Sequence, residues 1–235
     1  MSTTGFVPTN YGNLIGLGGK LRAGKDVVGD YLEEKHGYVK LGMSDVLNEA
    51  LLKLNPLIII EKDSPLYKDF SALPVVRYAD MHLSLGYVEA KKNPEVRRLL
   101  QVLGTEVGRD MIDPDVWVRM AEKKIQDLWA EGKSVVITAM RFPNEIDMLN
   151  RLGGLSVWIE RPDEERLNNA GEAIQSHASE NSVSSKDFSY VMMNDGTLEQ
   201  LYRKVEKRLV DNEFSSQFSA RQEALSHIYH PPYDR

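Results

Sequence analysis

Gly12-Asn13-Leu14-Ile15-Gly16-Leu17-Gly18-Gly19-Lys20-Leu21-Arg22-Ala23-Gly24-Lys25-Asp26 is the segment on which the architecture turns. Gly12 to Leu17 is short and apolar and reads as a strand. Lys25 to Lys35 carries Val27, Val28, Tyr31 and Leu32 at helical spacing and reads as a helix stopped by Gly37. Between them Gly19 to Lys25 fits the spacing G-x-x-x-x-G-K, with Asp26 where Ser or Thr is usual. Glycines let a backbone wrap an anion so that its N–H groups point inward, and the N-terminus of the next helix adds a favourable partial charge. Gly19, Lys20, Arg22, Ala23 and Gly24 are therefore expected to cradle phosphates, with Lys25 reaching the terminal ones. A carboxylate at Asp26 can hold Mg²⁺ directly or through water. It is equally a first-turn acid favoured by the helix dipole, and the segment leaves both readings open.

Reading outward, Tyr38 to Leu41 predicts a second strand, and Ser44 an N-cap, with Asp45 in the first turn, for a helix reaching Leu54. Pro56 to Pro94 is irregular, with a helix expected near Val75 to Leu85. Helices follow over Glu95–Asp110 and Asp115–Glu131. Ser134 to Thr138 is a buried-strand pattern, followed by a helix over Asn144–Leu152 and a strand over Leu155–Glu160. A short strand at Tyr190–Met192 and a helix over Thr197–Val210 complete the pattern. Strands alternating with helices predict a three-layer α/β fold with a central parallel sheet. A single domain is expected over residues 1–211, with a helical insertion at about 44–117 and a polar tail at 212–235.

Composition narrows the chemistry. The 235 residues include no cysteine, which removes disulfides, thiolate zinc sites, iron–sulfur clusters and a Cys nucleophile. Lys and Arg total 29 against 35 Asp and Glu, a net charge of −6, which argues against a polymeric nucleic-acid partner. The longest apolar run, Leu57 to Ile60, is far short of the ~20 residues a membrane span needs. Met1 to Asn13 lacks the charged and apolar regions of a signal peptide. These features predict a soluble intracellular protein.

Four stretches in order resemble the bacteriophage deoxynucleoside monophosphate kinases, within the P-loop nucleoside and nucleotide kinase group. They are Gly19 to Asp26; Val96-Arg97-Arg98-Leu99-Leu100-Gln101-Val102-Leu103-Gly104-Thr105-Glu106 with Asp113-Pro114-Asp115-Val116-Trp117-Val118 after it; Arg141-Phe142-Pro143-Asn144-Glu145; and Asn194-Asp195-Gly196-Thr197. The resemblance spans Gly12 to Leu209. It implies a P-loop kinase fold in which the insertion binds the acceptor and a lid at about 161–187 closes over the phosphates. The implied reaction is transfer of the ATP γ-phosphate to a deoxynucleoside monophosphate (dNMP), with Mg²⁺. A cytoplasmic enzyme, in the host cytoplasm if phage-encoded, and a homodimer are also implied. The chain departs from the pattern at Ala139, where relatives usually carry an Asp two residues before the Arg. Asp26 alone, or Asp45 as a substitute acid, is left to hold the metal.

Phosphoryl transfer needs cations to align and neutralise two anions. One of Arg97 and Arg98, about 100° apart on a helix, is expected on the acceptor phosphate. Gln101 and Thr105, spaced i, i+4, are expected to line the acceptor pocket. Arg141, just past a buried strand, lies where ligands of open α/β sheets bind. Arg161 and Arg166 are the expected lid cations. Asn194 and Gly196 are implied at the donor adenine pocket by the resemblance. His177 is a weak candidate for a base, because a nucleotide monophosphate is already a nucleophile. Tyr67, Phe70, Tyr78, Tyr87 and Trp117 are candidates to stack on the acceptor base. Two other readings remain: a kinase similar to dephospho-coenzyme A kinase, and a nucleotide-binding module without turnover.

Overall fold

The computed structural model describes residues 13–60, 75–162 and 182–210. Five parallel strands form the central sheet: β1 (Leu14–Gly18), β2 (Val39–Gly42), β5 (Val135–Thr138), β6 (Leu155–Glu160) and β7 (Tyr190–Met193). Their order is β2-β5-β1-β6-β7. Ile15 is in register with Val136 on one side and Leu155 on the other. Every residue of β1 and β5 is buried, as a sheet covered on both faces requires.

The alternation of side chains along β1 separates the two covering layers. Ile15 and Leu17 share a core with Val28 and Leu32 of α1 (Lys25–His36) and with Leu201 and Val205 of the last helix, α7 (Leu198–Val205). Leu14 and Gly16 face the other way. A Cβ on Gly16 would sit 2.7 Å from Leu149 of α6 (Pro143–Arg151), so that helix lies directly on the strand. The chain leaves β1 toward β2 at one edge and later returns, through β5, to β6 on the opposite side of β1. The switch in strand order therefore falls at the carboxyl end of β1, where open α/β sheets bind ligands.

The chain divides into two compact units, Met1–Gly42 with Glu122–Arg235, and Met43–Ala121. The second contains α2 (Met43–Leu54), α3 (Tyr78–Ala90), α4 (Pro94–Val102) and an antiparallel pair, β3 (Leu57–Ile59) and β4 (Val75–Arg77). A π-type segment, Leu103–Ile112, continues α4. Helix α5 (Val116–Ala130) starts in this unit and ends in the first. The second unit has its own core of Leu51, Ile58, Val76, Tyr78, Met81 and Val96.

Three local expectations change. Ser44 is not an N-cap: β2 runs straight into α2, which begins at Met43, so Ser44 sits inside the first turn. Val75 to Arg77 is a strand, because its β-branched residues pair with Leu57–Ile59, and the helix starts only at Tyr78. The helix expected over Glu95–Asp110 widens to the π form from Leu103, and Asp113 N–H donates to the Gly108 carbonyl five residues back at 2.9 Å. Among the described residues, no helix is long and apolar enough to cross a membrane.

Candidate active site

The loop after β1 is built by backbone conformations few residues tolerate. Gly19 has φ 141° and Gly24 φ 106°, and Arg22 also lies in the left-handed region at φ 63°. A Cβ on Gly19 would meet the Ile159 carbonyl at 2.5 Å, so that turn needs glycine twice over. Ala23 N–H closes a turn on the Lys20 carbonyl at 3.1 Å. Gly24 is the N-cap of α1 and supplies no side chain, so no side chain caps the first amides of the helix. Lys25 folds back across the loop and its Nζ donates to the carbonyls of Gly19 and Lys20, each at 2.8 Å.

A cleft beside this loop is lined by Gly19, Lys20, Leu21, Lys25, Ala139, Met140, Arg141, Trp158 and Val183. Three of these residues are cationic and none is acidic, so the cleft suits a small anion. Ala139 is left-handed at φ 60°, and Met140 N–H then donates to the Leu17 carbonyl at 3.0 Å. The exposed Arg141 follows at once. Its backbone is held by buried Glu145, whose Oε2 accepts from the N–H of Arg141 at 2.7 Å and of Phe142 at 3.2 Å. Sequence reading quoted Glu145 only as part of a motif and missed this function, for which a Glu three residues into a helix is the available signal.

The segment after β7 lies against the loop. Asn194 Nδ2 donates to the Ala23 carbonyl at 2.8 Å, and Asn194 N–H to the Glu160 carbonyl at 2.7 Å. Lys204 Nζ bridges the Met193 carbonyl at 2.8 Å and Asp195 Oδ1 at 2.6 Å. The Lys204 ammonium, first by its hydrogen bond, holds the Asp195 carboxyl below its ordinary range. Gly196 is exposed in the same turn. Arg161 follows β6 and is half-buried, whereas Arg166, His177 and most of the segment 161–187 lie outside the described residues.

Asp26 is exposed in the first turn of α1. Among the described residues no three His, Asp or Glu side chains gather to hold a metal ion. The single carboxylate of Asp26 is compatible with Mg²⁺, which keeps several waters and takes one or two carboxylates together with substrate phosphates. The uncapped amides of α1, with Lys20 and Lys25, fit a polyphosphate.

The remaining candidates belong to the second unit. Arg98 is bound in bidentate fashion by Glu95, three residues earlier, at 2.8 and 2.7 Å, and that pairing lowers the Glu95 pKa. Its neighbour Arg97 is exposed, as are Gln101 and Thr105. Thr105 falls in the π-type segment, so the helical i, i+4 spacing from Gln101 does not carry over unchanged. Asn93 caps this helix, its Oδ1 accepting from Glu95 N–H at 2.9 Å. The Ser44 carbonyl accepts from the Tyr87 hydroxyl at 3.3 Å, and Asp45 raises the Tyr87 pKa, after the larger effect of burial.

Two of the stacking candidates are structural. Trp117 is buried and its Nε1 donates to the Gly104 carbonyl at 2.8 Å. Tyr78 is wholly buried, and its hydroxyl donates to Asn48 Oδ1 at 2.6 Å. Burial pushes that hydroxyl up to about 12, so it stays a neutral donor. Tyr87 is half-buried and stacks on His82. Tyr67 and Phe70 lie outside the described residues.

A family model described as deoxynucleotide monophosphate kinase matches residues 40–205. A protein of Acanthamoeba polyphaga mimivirus is 26% identical over 209 residues, covering 82% of this chain and 93% of its own length. The deoxynucleotide monophosphate kinase of Escherichia phage RB69 is 24% identical over 248 residues, covering 83% of this chain and 99% of its own. Among solved structures, dephospho-CoA kinase from Campylobacter jejuni is similar at 13% identity and a TM-score of 0.43, over 84% of this chain and 95% of that one.

Proposed function

Because the chain belongs to the deoxynucleotide monophosphate kinase family, we propose that it transfers the γ-phosphoryl group of ATP to a dNMP, giving ADP and the deoxynucleoside diphosphate. The observation that carries this reading is the loop: an uncapped helix N-terminus behind a left-handed Gly24, with Lys25 stretched across it. The family match begins at residue 40, beyond this loop, so the two supports are separate.

In this reading the donor triphosphate lies on the amides of the loop and of the first turn of α1. Lys25 gives up the carbonyls of Gly19 and Lys20 for phosphate oxygens, while Lys20 and Arg22 add positive charge along the loop. An ionised acceptor phosphate oxygen attacks the γ-phosphorus. The bond from that phosphorus to the bridging oxygen breaks, and its electron pair stays on ADP. No base is required, since the acceptor is ionised at neutral pH. Arg141 stabilises the charge on the equatorial oxygens, and Arg161 and Arg166 are the further cations assigned to them. Asp26 is the residue that would hold Mg²⁺, and a bound ion there supplies neutralising charge to the phosphates. The insertion 44–117 takes the acceptor, with Ser44, Asp45, Gln101 and Thr105 on its pocket. Of the two arginines Arg97 is the phosphate contact, because Arg98 is held by Glu95.

The test is a coupled ADP-release assay with ATP and each of the four dNMPs, with ribonucleotides and non-nucleotide alcohols as further acceptors. We expect turnover with at least one dNMP, and Lys25→Ala should lose about 100-fold or more in kcat without a change in melting temperature. No ADP with any dNMP, or near wild-type kcat in K25A, would overturn the reading. Turnover confined to an alcohol would point to a different small-molecule kinase.

A further inference from the structure

We propose that Asn194 is a positioning residue for the phosphate loop, acting through the Ala23 carbonyl rather than by reading the adenine base. The inference rests on the reaction proposed above, and it gives the residue a role different from the one the motif suggests.

A side chain from 171 positions away, that of Asn194, donates to the Ala23 carbonyl in the turn between Ala23 and Gly24. It meets the loop where the backbone is least able to hold itself. Gly24 is left-handed at φ 106°, and the helix it opens has no side-chain cap. A Cβ on Gly24 would lie 2.6 Å from Asn194 Nδ2, so the amide fills the space that a larger residue would take. One donor thus fixes the carbonyl that precedes the left-handed residue. The peptide planes of Ala23 and Gly24 decide whether the next amides point into the phosphate site.

Asn194 is itself held in place. Its N–H extends the ladder to the Glu160 carbonyl at 2.7 Å, and Lys204 clamps the residues on either side, Met193 and Asp195. Thr197 Oγ1 accepts from Gln200 N–H and Gln200 Oε1 from Thr197 N–H, which fixes the start of α7. The amide donor is therefore delivered by a braced frame, as preorganisation requires. The bond to Ala23 commits one of the two Nδ2 hydrogens of Asn194 to the loop, and a base contact would have to come from what is left of the amide.

Inorganic tripolyphosphate separates the two roles, since it has the phosphates and no base. Asn194→Ala and the near-isosteric Asn194→Leu both remove the donor. Calorimetric titration of the full chain with tripolyphosphate and with ATP should show both affinities falling together, by about tenfold. The KM for dNMP should stay at the wild-type value, and melting temperatures identify a variant that is merely unfolded. If tripolyphosphate affinity is unchanged in a folded variant, the positioning role is overturned; a fall for ATP alone would assign Asn194 to the base. If the wild-type chain binds neither ligand and makes no ADP, the proposed function itself fails. Wild-type binding with unaffected variants sinks only the role of Asn194.

Discussion

Arg97 and Arg98 show how neighbouring identical side chains part company. They are adjacent in α4, but Glu95 lies three residues before Arg98 and its carboxylate takes both ends of that guanidinium. The exposed intrahelical pair contributes little to stability, yet it occupies the donors a phosphate would need. Arg97→Ala is therefore expected to raise the KM for dNMP at least about tenfold, with the KM for ATP unchanged. Arg98→Ala should shift it by less than about threefold. Steady-state kinetics with each substrate varied in turn decides this, and equal effects of the two would remove the distinction. Ala139 is a second such case. It adopts φ 60°, a conformation that Asp or Asn accepts more readily than Ala. The position where the resemblance leads one to expect an acid thus keeps a backbone suited to one, although its side chain ends at Cβ.

Helix α6 connects a buried strand to the anion cleft through its first turn. Pro143 stands at the first helical position, where its missing N–H costs nothing, and Glu145 reaches back to the amides of Arg141 and Phe142. Glu145 is 2% exposed, and losing its carboxylate would leave two partly buried backbone donors without that acceptor. Glu145→Ala should cost about 1–2 kcal/mol in urea unfolding. It should also lower kcat, because Arg141 loses the anchor on its own backbone. Glu145→Gln, which keeps an acceptor, should recover most of both. A destabilised E145A with wild-type kcat would limit Glu145 to a structural cap. The π-type segment after α4 is held differently. Gly108 leaves room for the Trp117 ring, since a Cβ there would come within 2.5 Å of it, and the Gly104 carbonyl accepts from Trp117 Nε1 at 2.8 Å.

Acid sensitivity is expected where the first and last helices of the sheet unit meet. Tyr31 of α1 stacks on Tyr202 of α7 with ring centroids 4.0 Å apart, and Glu206 accepts from Tyr31 and pairs with His36 at 2.8 Å. The Tyr31 hydrogen bond, and then His36, hold the Glu206 carboxyl below its ordinary 4.5. A lowered folded-state value means that this stabilisation is complete above the unfolded-state value and is lost as pH falls through the folded one. Melting temperature should therefore drop below about pH 4.5. Glu206→Gln should flatten that acid limb by lowering the neutral-pH melting temperature toward the acid value, and an identical limb in E206Q would rule the cluster out. Local pattern was enough for the strand-loop-helix of Leu14 to His36, for the buried strands around Val136 and Val157, and for placing Lys25 and Arg141 along one cleft. Each rests on residues a few positions apart, within reach of periodicity and turn chemistry. Pairing of Val75–Arg77 with Leu57–Ile59, the burial of Tyr78 and Trp117, and the bond from Asn194 to Ala23 were settled by folding alone. Those outcomes depend on which partners the chain brings together across space, and a free energy of long-range packing leaves no mark in the spacing of neighbouring residues.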